Sequence, residues 1–161
     1  MSSKASEATN PPTSSEAPWY AAYPAARNKN PSTLSRVDLL ASIKEGKKPG
    51  KDFVLVDLRR TDYEGGTIRG SINLPAQSLY PTIPTLYTLF KEAKVGTVIW
   101  YCGSSRGRGN RAAAWFDDYI DDRGDSDMRS VVLVDGIKGW ASAGRDCVEL
   151  MDEYKEEAWR K

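Results

Sequence analysis

The chain has 161 residues, of which 40% are hydrophobic, and this length and composition suit one compact domain with its own core. Its 23 lysines and arginines almost balance its 22 aspartates and glutamates, so net charge favours neither nucleic acid nor an anionic membrane as a partner. Two cysteines and no histidine argue against a disulfide framework and a metal site, and no apolar run approaches the roughly 18 residues of a membrane span.

The first part of the chain, residues 1–31, is rich in Ser, Ala, Thr, Asn and Pro. Such a segment buries too little apolar surface to offset its conformational entropy, so we predict a disordered leader here and a catalytic domain over 32–161. Trp19, Tyr20 and Tyr23 depart from this composition, and a docking segment, a strap packed on the domain and plain disorder remain open for them. The amino terminus lacks the apolar core of a signal peptide, which predicts a cytoplasmic or nuclear protein.

Local signals after the leader predict alternating helices and strands. Ser35 followed by Asp38 is typical of a helix start and predicts a helix over 36–45. Short continuous apolar runs, as expected of strands covered on both faces, occur at 53–56, 97–101 and 130–134. Pro84 opens a further helical pattern between two of these runs. The alternation predicts an α/β fold, with a parallel sheet flanked by helices on both faces.

A short loop follows the apolar run 97–101 and is the most informative feature of the chain. Cys102 opens this loop, and Arg108 closes it as its seventh residue. The residues between them are small, flexible or polar: Gly103, Ser104, Ser105, Arg106 and Gly107. A loop of this composition can curl so that successive backbone N–H groups point into one concavity and bind an anion. Open α/β sheets bind ligands at the carboxyl ends of their strands, so we predict an oxyanion site here.

Cys102 and Arg108 suit a reaction on an oxyanion. Residues 109–120 carry apolar side chains at helical spacing, so a helix amino terminus faces the loop and favours the anionic thiolate of Cys102. Activation by a Cys–His pair is excluded because the chain has no histidine. Arg108 offers a planar fork of donors that matches two oxygens of a phosphate or arsenate. We therefore predict that Cys102 is the nucleophile and Arg108 the oxyanion clamp.

Each residue of the loop also has a simpler interpretation. Cys102 could be an inert buried cysteine at the end of a core strand. Arg106 either attracts an anionic substrate or is a solvated surface charge. Ser104 and Ser105 either hydrogen-bond the thiolate or only shape the turn.

Three carboxylates and a second cysteine complete the candidates. Asp57, Glu64 and Asp135 could each serve as a general acid, but the sequence fixes none of them, and Asp57 more simply satisfies backbone N–H groups. Cys147 is either a resolving thiol or a buried helical residue. We favour the buried residue, because nothing near Cys147 in the sequence activates a thiol.

Several ordered segments resemble the hallmarks of the rhodanese-fold superfamily. The matching segments are residues 56–59, 62–75, 102–108 and 132–140. The resemblance extends over most of the chain and implies a rhodanese-like α/β domain. Two positions depart from the superfamily pattern. Thr67 stands where members usually carry histidine, which we expect to loosen a structural hydrogen bond, and Tyr101 replaces the histidine that often precedes the cysteine.

The length of the loop resembles one branch of that superfamily, the cell-division-cycle dual-specificity phosphatases and the eukaryotic arsenate reductases, whereas the sulfurtransferases use a shorter loop. This resemblance implies one of two reactions at Cys102. In a phosphatase, water hydrolyses a cysteinyl-phosphate and no cofactor is needed. In an arsenate reductase, glutathione or glutaredoxin resolves a cysteine-bound arsenic species.

We interpret the chain as a cysteine-dependent phosphatase of the protein-tyrosine or dual-specificity type, with a phosphorylated protein or a small oxyanion as substrate. Arsenate reduction by the same loop is the first alternative. A sulfurtransferase and a non-catalytic module that binds phosphorylated ligands are the others. We expect no nucleic-acid or membrane partner, because the charges are balanced and no basic patch is interleaved with aromatic residues.

Overall fold

A parallel sheet organises the molecule. The structure is a computed structural model that describes residues 17–160. The strands in this range are β1 (Ser32–Leu34), β2 (Phe53–Asp57), β3 (Thr67–Ile68), β4 (Ile72–Asn73), β5 (Thr97–Tyr101), β6 (Arg129–Leu133) and β7 (Met151–Asp152). Five of them form the central sheet in the order β1, β6, β5, β2, β4, with every neighbouring pair parallel. The remaining two, β3 and β7, form an antiparallel pair.

Helices connect the strands of this sheet. The α-helices in residues 17–160 are α1 (Arg36–Lys44), α2 (Ile83–Glu92), α3 (Arg108–Asp122), α4 (Gly136–Ala141) and α5 (Arg145–Val148). Short 3₁₀ helices cover Trp19–Ala22, Ala76–Ser78, Tyr80–Thr82 and Glu156–Trp159. The hydroxyl oxygen of Ser35 accepts a hydrogen bond from the backbone N–H of Asp38 at 3.1 Å, so α1 begins with the predicted cap. Within the described range, no helix is both long and apolar enough to cross a membrane.

Side chains that alternate along the strands fill a separate core on each face of the sheet. On β5, Val98 and Trp100 pack with residues of α2 and α3, whereas Ile99 and Tyr101 pack with residues of α1 and α4. Each of these four residues is at most 2% exposed. Helices therefore cover both faces of the sheet, which confirms the predicted α/β architecture.

The predicted helix over 36–45 and the three predicted apolar strands are confirmed, each to within one residue at either end. The edge strands β1 and β4 were not predicted. They contain only three and two residues, and most of these are exposed. Such segments carry neither a continuous apolar run nor a periodic pattern long enough to identify them.

Residues 17–31, called the strap below, pack on the helical layer that contains α3. The indole N–H of Trp115 donates a hydrogen bond to the carbonyl oxygen of Pro24 at 2.9 Å. Tyr23 stacks on Tyr80 with ring centroids 5.1 Å apart. The aromatic side chains of the strap thus lie against the core cluster on this face of the sheet.

The strap corrects part of the predicted leader. Disorder up to residue 31 is wrong for residues 17–31, because three aromatic side chains supply the apolar contact that the rest of the segment lacks. Of the interpretations left open for Trp19, Tyr20 and Tyr23, the packed strap is the one that the structure shows. The prediction of disorder for residues 1–16 lies outside the described residues.

A buried ion pair fixes the loop between β2 and β3. Arg59 and Asp57 are 2% and 0% exposed, and their side chains are 2.7 Å apart from Nη2 to Oδ2. The Asp57 carboxylate also accepts the backbone N–H of Arg59 at 3.1 Å, as expected for a residue that satisfies backbone donors. Further guanidinium N–H groups donate to the carbonyl oxygens of Glu64, at 2.9 Å, and Gly66, at 2.8 Å. One arginine therefore holds both ends of this loop together.

Replacing this arginine should destabilise the fold strongly. Arg59→Met leaves the Asp57 carboxylate buried without its counter-ion and frees two backbone carbonyls, so we expect a loss of about 3–5 kcal/mol in the free energy of unfolding. Urea denaturation followed by circular dichroism measures this loss. The matched control is Arg145→Met, because Arg145 pairs with Glu149 on the surface and should contribute about 0.5 kcal/mol or less. Similar losses in the two variants would contradict a structural role for the buried pair.

Candidate active site

The predicted catalytic residues all lie in one connection between β5 and α3. β5 ends at Tyr101, Cys102 follows it with 2% exposure, and α3 begins at Arg108. We call residues 102–108 the active loop. This is the strand, loop and helix arrangement that the sequence predicts.

Serine side chains inside the active loop shape its backbone. The Ser105 hydroxyl oxygen accepts the backbone N–H of Cys102 at 3.3 Å, and Ser105 itself adopts a left-handed conformation with φ of 65°. The Ser104 hydroxyl oxygen accepts the backbone N–H of Arg106 at 3.3 Å. Both serines therefore perform the turn-shaping role.

Two backbone hydrogen bonds join the amino terminus of α4 to the active loop. The backbone N–H groups of Ile137 and Lys138 donate to the carbonyl oxygens of Cys102 and Gly103, both at 3.0 Å. In a trans peptide the C=O and N–H groups point in opposite directions, so the N–H groups that follow these two carbonyls point away from α4. Those N–H groups belong to Gly103 and Ser104, and within the described part of the chain neither donates to a protein acceptor. They are available to an anion on the other side of the loop.

A cavity of about 370 Å³ opens over the active loop. Its lining combines the strap, the loop and α3: Trp19, Tyr20, Gln77, Cys102, Ser104, Gly107, Arg108 and Arg111. Both predicted principal residues, Cys102 and Arg108, share this cavity. Gln77 was not predicted from the sequence, and its amide oxygen is buried with no hydrogen-bond partner among the described residues.

Of the other predicted loop residues, Ser104 and Gly107 line this cavity, whereas Gly103, Ser105 and Arg106 do not. Gly103 lines a neighbouring cavity of about 440 Å³, together with Asp62 and Glu64. Ser105 is buried beneath the loop at 4% exposure. Arg106 is exposed, in keeping with a solvated surface charge.

The guanidinium of Arg108 is held by Asp62, a residue that sequence reasoning did not single out. Arg108 Nη1 donates to Asp62 Oδ1 at 2.9 Å, and Nη2 donates to Oδ2 at 2.6 Å. Hydrogen bonding to Asp62 raises the pKa of Arg108, burial acts in the opposite direction, and the nearby Cys102 side chain adds to the increase. The same hydrogen bonding lowers the pKa of Asp62 to about 2. The ionised carboxylate thus occupies the donor fork that an oxyanion would use.

None of the three carboxylates considered as general acids lines the Cys102 cavity. Asp57 is buried in its pair with Arg59, and Glu64 borders the neighbouring cavity. Asp135 lies 3.3 Å from Arg36 in a partly exposed ion pair. The described residues therefore place no protonated carboxyl group beside the nucleophile, since Asp62 is ionised at neutral pH.

A buried network of hydroxyl groups underlies the active loop. The Tyr101 hydroxyl lies 2.9 Å from Thr67 Oγ1 and 2.6 Å from Ser71 Oγ, and Thr67 Oγ1 donates to the Asp57 carboxylate at 2.7 Å. Burial raises the pKa of Tyr101, so its hydroxyl stays protonated. Thr67 therefore makes two side-chain hydrogen bonds, and one of them joins it to Tyr101, the other position that departs from the superfamily pattern.

Cys147 and Cys102 contribute to different cores. Cys147 belongs to the cluster that contains residues of α1 and α4, whereas Cys102 belongs to the cluster that contains residues of α2 and α3. Cys147 is 4% exposed, and burial raises its pKa. The interpretation of Cys147 as a buried helical residue is confirmed.

Removing Asp62 should strengthen oxyanion binding. Asp62 and the ligand compete for one guanidinium, and a partly exposed pair contributes up to about 1 kcal/mol, so Asp62→Asn should tighten the Kd for inorganic phosphate by up to about fivefold. Titration calorimetry measures this Kd. Asp146→Asn is the control, because its pair with Lys44 is exposed and outside the cavity. Weaker binding to Asp62→Asn would show instead that Asp62 holds Arg108 in its binding position.

The effect of this substitution should not depend on pH in the physiological range. The pKa of Asp62 in the folded protein lies below its ordinary value of 3.8, so the Arg108 pair is intact above about pH 4 and is lost only as pH falls toward 2. The ratio of Kd values between wild type and Asp62→Asn should stay constant from about pH 5 to 8. A ratio that changes in this interval at a pH away from the second ionisation of phosphate itself would identify another titrating group at the site.

Comparisons with known proteins show which proteins this chain is similar to. The family model of the rhodanese-like domain matches residues 37–143 of the chain. Arsenical-resistance protein 2 of Saccharomyces cerevisiae is 31% identical over 103 residues, which are 60% of this chain and 79% of that protein. The range 37–143 that matches the family model contains the active loop and Asp62 and begins after the strap.

Solved structures show the same similarity. Ygr203w, described as a yeast protein tyrosine phosphatase of the Rhodanese family, gives a TM-score of 0.61 at 26% identity and covers 83% of this chain and 99% of that one. The As-Sb reductase of Leishmania major gives a TM-score of 0.57 at 25% identity and covers 66% of this chain and 73% of that one.

Proposed function

The chain belongs to the rhodanese-like domain family, and we propose that it is a cysteine-dependent phosphatase that hydrolyses phosphate monoesters of the phosphotyrosine type. One observation carries this proposal. Cys102 and Arg108 line a single cavity at the ends of a seven-residue loop, and the N–H groups of Gly103 and Ser104 point away from α4. The proposed nucleophile, oxyanion clamp and backbone donors therefore all lie within the seven residues 102–108.

The proposed reaction has two steps. The Cys102 thiolate attacks phosphorus, an S–P bond forms, and the bond between phosphorus and the ester oxygen breaks. Arg108 exchanges Asp62 for two phosphoryl oxygens, and the backbone N–H groups of the loop bind the charge that develops there. Water then attacks the cysteinyl-phosphate, which releases inorganic phosphate and restores the thiolate.

The surroundings of Cys102 favour aryl esters over alkyl esters. With no protonated carboxyl group beside Cys102 among the described residues, the departing oxygen must leave as an anion or take its proton from water. A phenolate, whose conjugate acid has a pKa of about 10, leaves far more readily than an alkoxide. A tyrosine phosphate ester meets this requirement.

The remaining parts of the proposal concern context. The phosphatase reaction uses no cofactor, the substrate is a phosphorylated protein or a small oxyanion, and the protein acts in the cytoplasm or nucleus. Nucleic acid and membranes are not its partners.

Arsenate reduction is the second candidate, and the similarity to Arsenical-resistance protein 2 favours it. The same loop accepts arsenate, because arsenate has the charge and tetrahedral shape of phosphate. Reduction needs two electrons, which two thiols supply as they join in a disulfide. Cys147 belongs to a different core from Cys102, so glutathione, followed by glutaredoxin, would supply the second thiol.

Substituting each cysteine by serine tests the nucleophile. Cys102→Ser should lower kcat/KM for an aryl phosphate by roughly 10³-fold or more, since the covalent step is lost. Cys147→Ser should keep activity within about threefold, because Cys147 does not line the cavity. Phosphate release measures both. Equal activity in wild type and Cys102→Ser would contradict the phosphatase proposal.

A parallel assay separates the candidate functions. The same proteins receive arsenate with glutathione and glutaredoxin, and arsenite is measured. Arsenite formation without phosphate release would favour the second candidate. If neither reaction occurs, a persulfide on Cys102 after thiosulfate treatment would indicate sulfur transfer. Binding of a phosphorylated ligand by both wild type and Cys102→Ser would instead indicate a non-catalytic module.

A further inference from the structure

The strap supplies one wall of the Cys102 cavity. Trp19 and Tyr20 line this cavity together with Cys102 and Arg108. Both aromatic residues precede the range 37–143 that matches the family model.

Two kinds of contact hold the aromatic wall in place. Trp19 lies edge-on to Tyr20, with centroids 5.4 Å apart, and edge-on to Trp115 of α3, at 6.1 Å. The guanidinium carbon of Arg111 lies 3.4 Å from the centroid of the Tyr20 ring. Cation–π and edge-to-face contacts of this kind fix the orientation of a ring. Arg111 belongs to α3, so the wall is tied to the helix that the active loop leads into.

The next residues of the strap anchor it further. Tyr23 stacks on Tyr80 and lies edge-on to Trp115, at 6.0 Å between centroids. The backbone N–H of Arg27 donates to the carboxylate of Asp118 at 2.7 Å. The wall is thus formed before any ligand binds, and a ligand does not have to order it.

The size of the cavity exceeds what a bare oxyanion requires. The active loop and Arg108 suffice for a tetrahedral anion, whereas about 370 Å³ lies in the range of sites that hold whole organic ligands. Trp19 and Tyr20 are only partly buried, so parts of both side chains remain accessible. Aromatic rings bind other rings in offset-stacked or edge-to-face geometry.

We propose that Trp19 and Tyr20 are specificity-determining residues that bind the aromatic ring of an aryl phosphate while Cys102 and Arg108 engage its phosphoryl group. This inference rests on the proposed phosphatase function and names the side of the cavity that selects the substrate. It also assigns the strap a role in recognition, beyond its packing on α3. Arg111 acts as a positioning residue, because it holds the Tyr20 ring.

Binding of two anions that differ only in the presence of a ring tests the inference. Phenylphosphonate carries a ring and resists hydrolysis, and inorganic phosphate carries none. Titration calorimetry on the full chain gives both Kd values. Trp19→Ala and Tyr20→Ala should each weaken phenylphosphonate about three- to tenfold and change phosphate binding less than about twofold. Tyr20→Phe should retain phenylphosphonate binding, since it keeps the ring.

Tyr119→Ala is the matched control, because Tyr119 is a partly buried aromatic residue of α3 that lies outside the Cys102 cavity. It should leave both Kd values unchanged. If the strap variants weaken both anions equally, or weaken neither, the inference is overturned.

Kinetics provide a second readout that a purely structural role would not produce. Trp19→Ala should raise KM for an aryl phosphate and leave kcat nearly unchanged, because ring contacts are the same in the ground and transition states. A fall in kcat at constant KM would overturn the inference. If wild type binds phenylphosphonate as expected but hydrolyses no aryl phosphate, the phosphatase proposal fails and the aromatic wall is still supported.

Discussion

Two backbone hydrogen bonds at the start of α4 determine how the active loop presents its polar groups. They fix the carbonyls of Cys102 and Gly103, and trans peptide geometry then sends the following N–H groups to the opposite side. The approach is close enough that a Cβ atom on Gly136, whose φ is 56°, would lie 2.6 Å from the carbonyl oxygen of Gly103. Residues 132–140 are therefore part of the site, because they orient the active loop although they do not line the Cys102 cavity.

A second series of contacts connects the buried pair of Asp57 and Arg59 to Arg108, the proposed oxyanion clamp. Asp57 neutralises Arg59, and Arg59 holds the carbonyls at the far end of the β2–β3 loop. That loop carries Asp62, whose carboxylate binds the fork of Arg108. The guanidinium is therefore oriented before an oxyanion binds. An oxyanion that binds replaces the Asp62 carboxylate as the acceptor of Arg108. Because the guanidinium is paired with an anion before and after binding, the net free energy of this exchange is small.

The sequence predicts best what local chemistry determines. Continuous apolar runs identify the central strands, a serine cap identifies α1, and a loop of small residues between strand and helix identifies the active loop. Asp62 could not be found in this way, because it pairs with Arg108 across 46 residues of sequence. The hydrogen bond between Thr67 and Tyr101 could not be predicted for the same reason, because 34 residues separate the two positions. For the strap, composition favoured disorder up to residue 31, and the three aromatic residues alone could not decide between a packed strap, a docking segment and disorder, because their partners lie far away in the sequence.

The two sides of the Cys102 cavity bear separately on the proposed substrate, and both favour an aryl phosphate. On the loop side, which is the proposed anion site, no carboxyl group of the described residues lines the cavity, and this favours a leaving group that departs as a stable anion. On the strap side, Trp19 and Tyr20 offer aromatic surface, which favours a ring attached to the phosphoryl group. Leaving-group chemistry and ring recognition are independent properties, and they arise from different segments of the chain. Their agreement on phenolic esters is a stronger argument for the substrate class than either cavity wall provides alone.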